Sequence, residues 1–153
     1  MSCGKDHRTG SCVCDILKEI AGVQDDIAND CCDTGCEQSI NDLLGTSEGG
    51  PGLDTVPLLL YCSSTCEPFK GYGAYPRDIS KKVSSFYFRV KKVTDDCCAV
   101  IELLVDRTEL GQSKNQSCPF NQKTDQLRAT GICITVDLKC FCHVTCLPAI
   151  NAM

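Results

Sequence analysis

Apolar side chains recur along the chain with two different periods. Over residues 12–29, CVCDILKEIAGVQDDIAN, they fall at Val13, Ile16, Leu17, Ile20, Val23 and Ile27, the three-and-four spacing of an amphipathic helix with one stripe to bury. NDCCDTGC ends that helix, and Thr34 with Glu37 has the spacing of a capping box for a short following turn of helix. From Thr55 the period shortens to two, and TVPLLLYC, SSFYFRVKKV, CCAVIELLVD and ICITVDLKCFCHV read as strands. In the second of these, Phe86, Phe88 and Val90 share one face while Tyr87, Arg89 and Lys91 share the other. In the third, Glu102 and Asp106 lie on the even side, which turns the odd residues inward, Cys97 among them, and Cys98 outward. In the fourth, Ile132, Ile134, Val136, Leu138, Cys140 and Cys142 face in, and Cys133, Thr135, Asp137 and Lys139 face out. GTSEGGPG (45–52) and GYGAYPR (71–77) read as loops, the latter with tyrosines suited to contact, and 106–130 as a long polar excursion with at most one short strand.

These elements predict an α+β fold that is mostly β. An N-terminal amphipathic helix precedes an antiparallel β-sandwich or barrel-like domain of five to eight strands, because short strands without intervening helices pack in those two ways. The arm and helix take residues 1–36 and the mostly-β core 37–153, within a single structural unit.

Composition changes the picture at one point. At 153 residues the chain is long enough to bury a core without covalent staples, yet it carries 15 cysteines, the density of a disulfide scaffold or a metal-rich protein. The number is odd, so at least one thiol stays free, binds metal or pairs with another chain. The opening MSCGKDHRTGSCVCD lacks the apolar run of a signal peptide and no stretch is long enough to span a membrane, so synthesis in a reducing cytosol is expected. A net charge of -5 argues against nucleic acid as a partner.

Three roles compete for the thiols. Cys12-x-Cys14, Cys62-x3-Cys66 and Cys140-x-Cys142-x3-Cys146 place soft ligands close together, but paired Cys-x-x-Cys knuckles are missing and only His7 and His143 are available to complete a site. His143 reads as a solvent-facing strand residue, and no cofactor or metal is expected. Thiol-disulfide catalysis needs a Cys-x-x-Cys in a βαβ setting, which is absent, and no other catalytic constellation stands out, so the chain reads as a non-enzyme. A core filled with buried free cysteine fits some positions, but not the doublets at 31–32 and 97–98 or Cys3 in its arm.

MSCGK, CVCD, DTGC, DTVPLLLY, FYFRVKKV, DDCCAVIELL and CITVDLKCFCHVTCL occur in that order, and together they resemble the cysteine-rich spore coat protein Y and Z family of endospore-forming bacteria. The resemblance implies a structural protein, made in the mother-cell cytoplasm, that assembles into hexagonal two-dimensional layers on the spore surface, in the crust or the exosporium basal layer. Its implied partners are itself, as a hexamer extending to a lattice joined by intermolecular disulfides, and other coat or exosporium proteins. The alternative is a soluble zinc-binding or thiol-storage protein. Chain position and strand parity make Cys3, Cys12, Cys14, Cys98 and Cys133 the candidates for bonds between molecules. Cys31, Cys36, Cys62, Cys66, Cys97, Cys140, Cys142 and Cys146 are the candidates for pairing within the chain or burial.

Overall fold

The computed structural model describes residues 12–27, 32–45 and 52–153. Contacts divide the chain into two compact units, residues 1–33 and 34–153. In the first, helix α1 spans Cys12–Ile27 as its periodicity predicts. Its apolar stripe is not buried: Val13, Ile16, Leu17, Ile20, Val23 and Ile27 are all exposed, since the described part of its own unit offers no second element to cover them.

The second unit begins with helix α2, Cys36–Leu43, whose N-cap is Gly35 without any side-chain cap, so the Thr34/Glu37 capping box does not form. Seven strands follow: β1 Leu58–Cys62, β2 Gly71–Tyr75, β3 Asp78–Ser85, β4 Tyr87–Val93, β5 Cys98–Asp106, β6 Leu127–Asp137 and β7 Phe141–Cys146. Five form an antiparallel sheet in the order β6-β5-β4-β1-β7, and β2 with β3 makes a separate hairpin. The fold is mostly β and antiparallel, behind N-terminal helices.

Connectivity forces the sheet to curl. β6 and β7 lie at opposite edges, roughly 19 Å apart if the sheet were flat at about 4.8 Å per strand, yet only the 3-10 turn Leu138–Cys140 joins them. Four residue steps reach about 14 Å at most, so the edges must approach each other, and the sheet closes toward a half-open barrel. Gly131, at φ +80°, supplies the bend in β6 where its register against β5 shifts between Glu102 and Leu104.

The hairpin closes the concave face. A Cβ on Gly73 would lie 2.3 Å from Cγ2 of Ile132, and one on Gly71 would lie 2.7 Å from the Phe88 ring. The β2 backbone therefore rests directly on the sheet, which only glycine permits. The same glycines gave 71–77 the composition of a loop, and that expectation is corrected here: most of GYGAYPR is strand. Beneath it lies the larger core of Leu60, Val83, Phe88, Ala99, Ile101, Leu103, Val105 and Ile132. A smaller core on the other face joins Phe86, Tyr87, Leu104, Leu127 and Ala152.

Three further expectations need correction. SSFYFRVKKV is not one strand, because the chain bends at Phe86, so Phe86 and Phe88 fall into different cores and Val90 is exposed. The bend is held by Gln122, which accepts from Phe86 N at 2.9 Å and donates to Ser85 Oγ at 2.8 Å. β5 buries its odd residues from Ala99 to Val105 as parity requires, but the even residues Glu102 and Asp106 are buried too. Glu102 is compensated by Arg89 at 3.5 Å, Lys91 at 3.6 Å and the Gly131 N–H at 2.8 Å. Finally, ICITVDLKCFCHV is two strands separated by a turn, which resets the alternation of faces after Asp137.

Candidate functional site: a rim of thiols

The reset at Leu138–Cys140 places the cysteines where parity alone does not. Leu138 N donates to Cys97 O at 2.9 Å, and Cys140 O accepts from Ser63 N at 2.8 Å. The turn thus ties the start of β5 to the chain just beyond β1. Cys98 pairs with Asp137 in the sheet, Cys62 pairs with Phe141, and Cys142 Sγ lies 3.7 Å from Cys62 O. Cys66 N donates to Cys62 O at 2.9 Å, within a turn where Cys66 takes φ 56°. Six cysteines, Cys62, Cys66, Cys97, Cys98, Cys140 and Cys142, are gathered around one turn.

None of the six is buried. Cys66, Cys97, Cys140 and Cys142 are exposed, and Cys62 and Cys98 are half-buried, all as free thiols. The inward orientation expected of Cys97, Cys140 and Cys142 is overturned. Cys97 precedes β5 and sits in the hairpin turn at φ 63°, Cys140 belongs to the 3-10 turn, and Cys142 lies on an edge strand. Strand parity does not reach across a turn. Cys133, expected outward, is exposed on β6.

The single disulfide resolved between described residues joins Cys36 on α2 to Cys146 at the end of β7, 110 residues apart in sequence. Ser39 strengthens that junction by donating to Leu147 O at 2.7 Å. In the first unit Cys12 is disulfide-bonded and Cys14 is half-buried. Cys3 and Cys31 lie outside the described residues.

Local charge differentiates the thiols. Asp96 beside Cys98 raises its pKa above 9.0, with burial, Asp137 and Cys97 acting in the same direction. Cys98 therefore carries less thiolate at neutral pH and is a slower nucleophile than an unperturbed cysteine. His143 is exposed on β7, its ring 4.3 Å from that of Tyr61 and its Nε2 2.9 Å from Thr145 Oγ1, so it serves as strand surface. Among the described residues no group of three or more His, Cys, Asp or Glu side chains is placed to hold a metal ion.

Two exposed or half-exposed thiols were given no pairing role from the sequence. Cys32 precedes α2, and Cys118 lines a cleft with Leu59, Tyr61, Phe86, Tyr87 and the fully exposed Phe120. Both sit in polar stretches, where neither period carries information about facing.

The family model for spore coat protein Z matches residues 1–149. The chain belongs to the spore coat protein Z family. It is 30% identical over 150 residues to Spore coat protein Z of Bacillus subtilis (strain 168), covering 92% of this chain and 91% of that protein. No solved structure matches. Family membership points to a structural role in the spore coat and to interaction with other coat components.

Proposed function

We propose that the protein is a non-enzymatic, self-assembling component of the outer surface of bacterial endospores, forming a two-dimensional hexagonal layer crosslinked by disulfides. One observation carries the reading. Nine described cysteines, Cys32, Cys62, Cys66, Cys97, Cys98, Cys118, Cys133, Cys140 and Cys142, are free thiols, and every one is exposed or half-buried. The core is filled instead by aliphatic and aromatic side chains, so folding does not require these sulfurs. A soluble protein gains nothing from so many reactive surface groups, whereas a chain that folds reduced in the mother-cell cytoplasm and is oxidised after docking gains covalent joints. The building block in this reading is a hexamer that extends to a lattice in the crust or the exosporium basal layer.

Electron microscopy and size-exclusion of freshly purified protein test it. Ordered layers or rings that resist denaturant without reductant and dissolve with it support the proposal. A strictly monomeric species carrying stoichiometric zinc supports the thiol-storage or zinc-binding alternative.

A further inference from the structure

Helix α1 carries an apolar stripe that no described residue covers. Val13, Ile16, Ile20, Val23 and Ile27 are 46% to 80% exposed, and none of the 16 residues of the helix is buried. Contiguous exposed apolar surface of this kind marks a contact. These five positions are spaced three, four, three and four residues apart, which is the alternation of a and d positions in a coiled coil. With Val13 at a, Ile20 and Ile27 are also a, Ile16 and Val23 are d, and Leu17 widens the seam at e. Glu19 and Asp26 then fall at g, Gln24 at e, and Lys18 and Asp25 at f on the opposite face. The polar positions hold Asp15, Glu19, Asp25 and Asp26 against the lone Lys18. A helix that lies on an anionic lipid surface needs the reverse excess, so the stripe is not built for a membrane.

We infer that α1 is an assembly helix, packed parallel and in register with α1 of two further copies of this chain. The inference rests on the self-assembly proposed above and names one of its contacts. A heptad seam is complementary to its own copy, because each a or d side chain fills a hole between those of the facing helix. Orientation follows from charge. Antiparallel helices would set g against g, and so Glu19 and Asp26 of one copy against the same carboxylates of the next. Parallel helices set g against e, and Glu19 then meets the neutral Gln24 of its neighbour. The number of helices follows from side-chain shape. Two-stranded coils favour leucine at d, whereas Ile16 and Val23 are β-branched there, like all three residues at a, and that choice favours three or four strands. A hexagonal layer has three-fold axes and no four-fold ones, which selects three. A helix of this length is marginal alone, so the bundle is a weak joint. Copies held side by side in a layer raise its effective concentration, and the joint needs no oxidised thiol.

The test uses the full chain with reductant present, so that no disulfide joins copies, and reads mass by sedimentation over a range of concentrations. The parent is expected to sediment as three chains or a multiple of three, more readily as added salt screens the acidic faces. Ile20→Lys, in the middle of the seam, lowers that association about tenfold or more, while Ala21→Gln, outside the seam at b, retains it. Orientation is read from Ile27→Cys: brief oxidation followed by mass spectrometry should give peptides linked through position 27 of two copies, since in-register helices bring identical a positions together. Circular dichroism and urea denaturation verify that the sheet of each variant is intact. The assignment is overturned if the parent stays monomeric, if Ile20→Lys associates like the parent, or if position 27 links instead to Cys12 or Cys14, the mark of antiparallel helices. A fall in the protomer's own denaturation midpoint in Ile20→Lys also overturns it, because the stripe is then covered by its own chain. Layers that form unchanged from Ile20→Lys overturn this inference and spare the proposed function. Trimers of the parent that never extend to layers overturn the proposed function and leave the α1 contact standing.

Discussion

The two edges of the sheet are finished in opposite ways. At β6 the chain's own C-terminus is laid along the strand: Ala129 N donates to Ala152 O at 2.9 Å and Arg128 reaches Asn151 O at 2.9 Å. That segment is in turn fixed by Asp54, which accepts from Ala152 N at 2.9 Å, and by reciprocal bonding between Thr55 and Ile150. Ala152 is buried and Ile150 packs beside it in the smaller core. At β7 the corresponding positions carry exposed Cys142, His143 and Val144, with thiols around them. One edge is closed by a distant segment of the same chain, and on the outer side of the other no described segment pairs with the strand.

The largest effect is expected from uncovering the closed edge. Removing residues 149–153 takes away the cover of Ala129, part of the smaller core and the partner of Asp54. The expected cost is about 3 to 5 kcal/mol, comparable to truncating a large core side chain and leaving buried polar groups unpaired. Urea denaturation of the reduced protein measures it, and a loss under about 1 kcal/mol would mean that the segment decorates the edge without closing it.

Next in size is the junction where the open edge ends. The Cys36–Cys146 bond closes a loop of about 110 residues, so Cys36→Ser should lower the stability of oxidised protein by about 2 to 4 kcal/mol. With reductant the parent and the variant should have the same denaturation midpoint. A variant that is weaker even under reduction would show that the side chain acts through packing.

How much of this was legible in the sequence depends on where each residue sits within its element. Helix α1 and the odd residues of β5 follow directly from period, because both are long and uninterrupted. The contrast between the edges does not. Ile150 and Ala152 lie in a stretch without periodicity, and their role arises only from contacts with Thr55 and Ala129, far away in sequence. The thiol rim was misread for a local reason: a three-residue turn at Leu138–Cys140 breaks one apparent strand into two, and parity counted through it inverts Cys140 and Cys142. Glycines 71 and 73 mimic a loop while serving close backbone approach. Strand edges are set by long-range pairing, and a single sequence encodes that only weakly.

Acid should act selectively on the closed edge, with a smaller effect. Burial alone would raise the Asp54 pKa, but hydrogen bonds from Ala152, Thr55 and Met153 together with the Arg89 charge outweigh it and hold the value below the usual 3.8. A depressed carboxylate contributes stability that is fully present above the unfolded value and is lost as pH falls through the folded one. The parent should therefore lose the Asp54 contribution only below about pH 4. Asp54→Asn should show a shallower decline over that window, and an unchanged slope in pH-dependent melting would assign acid sensitivity elsewhere, to Asp78, Asp96 or Asp106, the other depressed carboxylates.

The smallest effect on the protomer is expected at the open edge, where the side chains are already exposed. Val144 is already half exposed, and His143 and Cys142 are exposed where the residues of the two cores are buried. Val144→Lys exchanges a partly solvated branched side chain for one whose long stem lies along the same surface while its charge reaches water. The reduced monomer should retain its denaturation midpoint to within about 0.5 kcal/mol. The asymmetry with the truncation at β6 would then be complete, since one edge contributes to the stability of the fold and the other does not. If Val144→Lys instead destabilises the monomer by more than about 1.5 kcal/mol, Val144 belongs to the core and β7 is closed by its own chain.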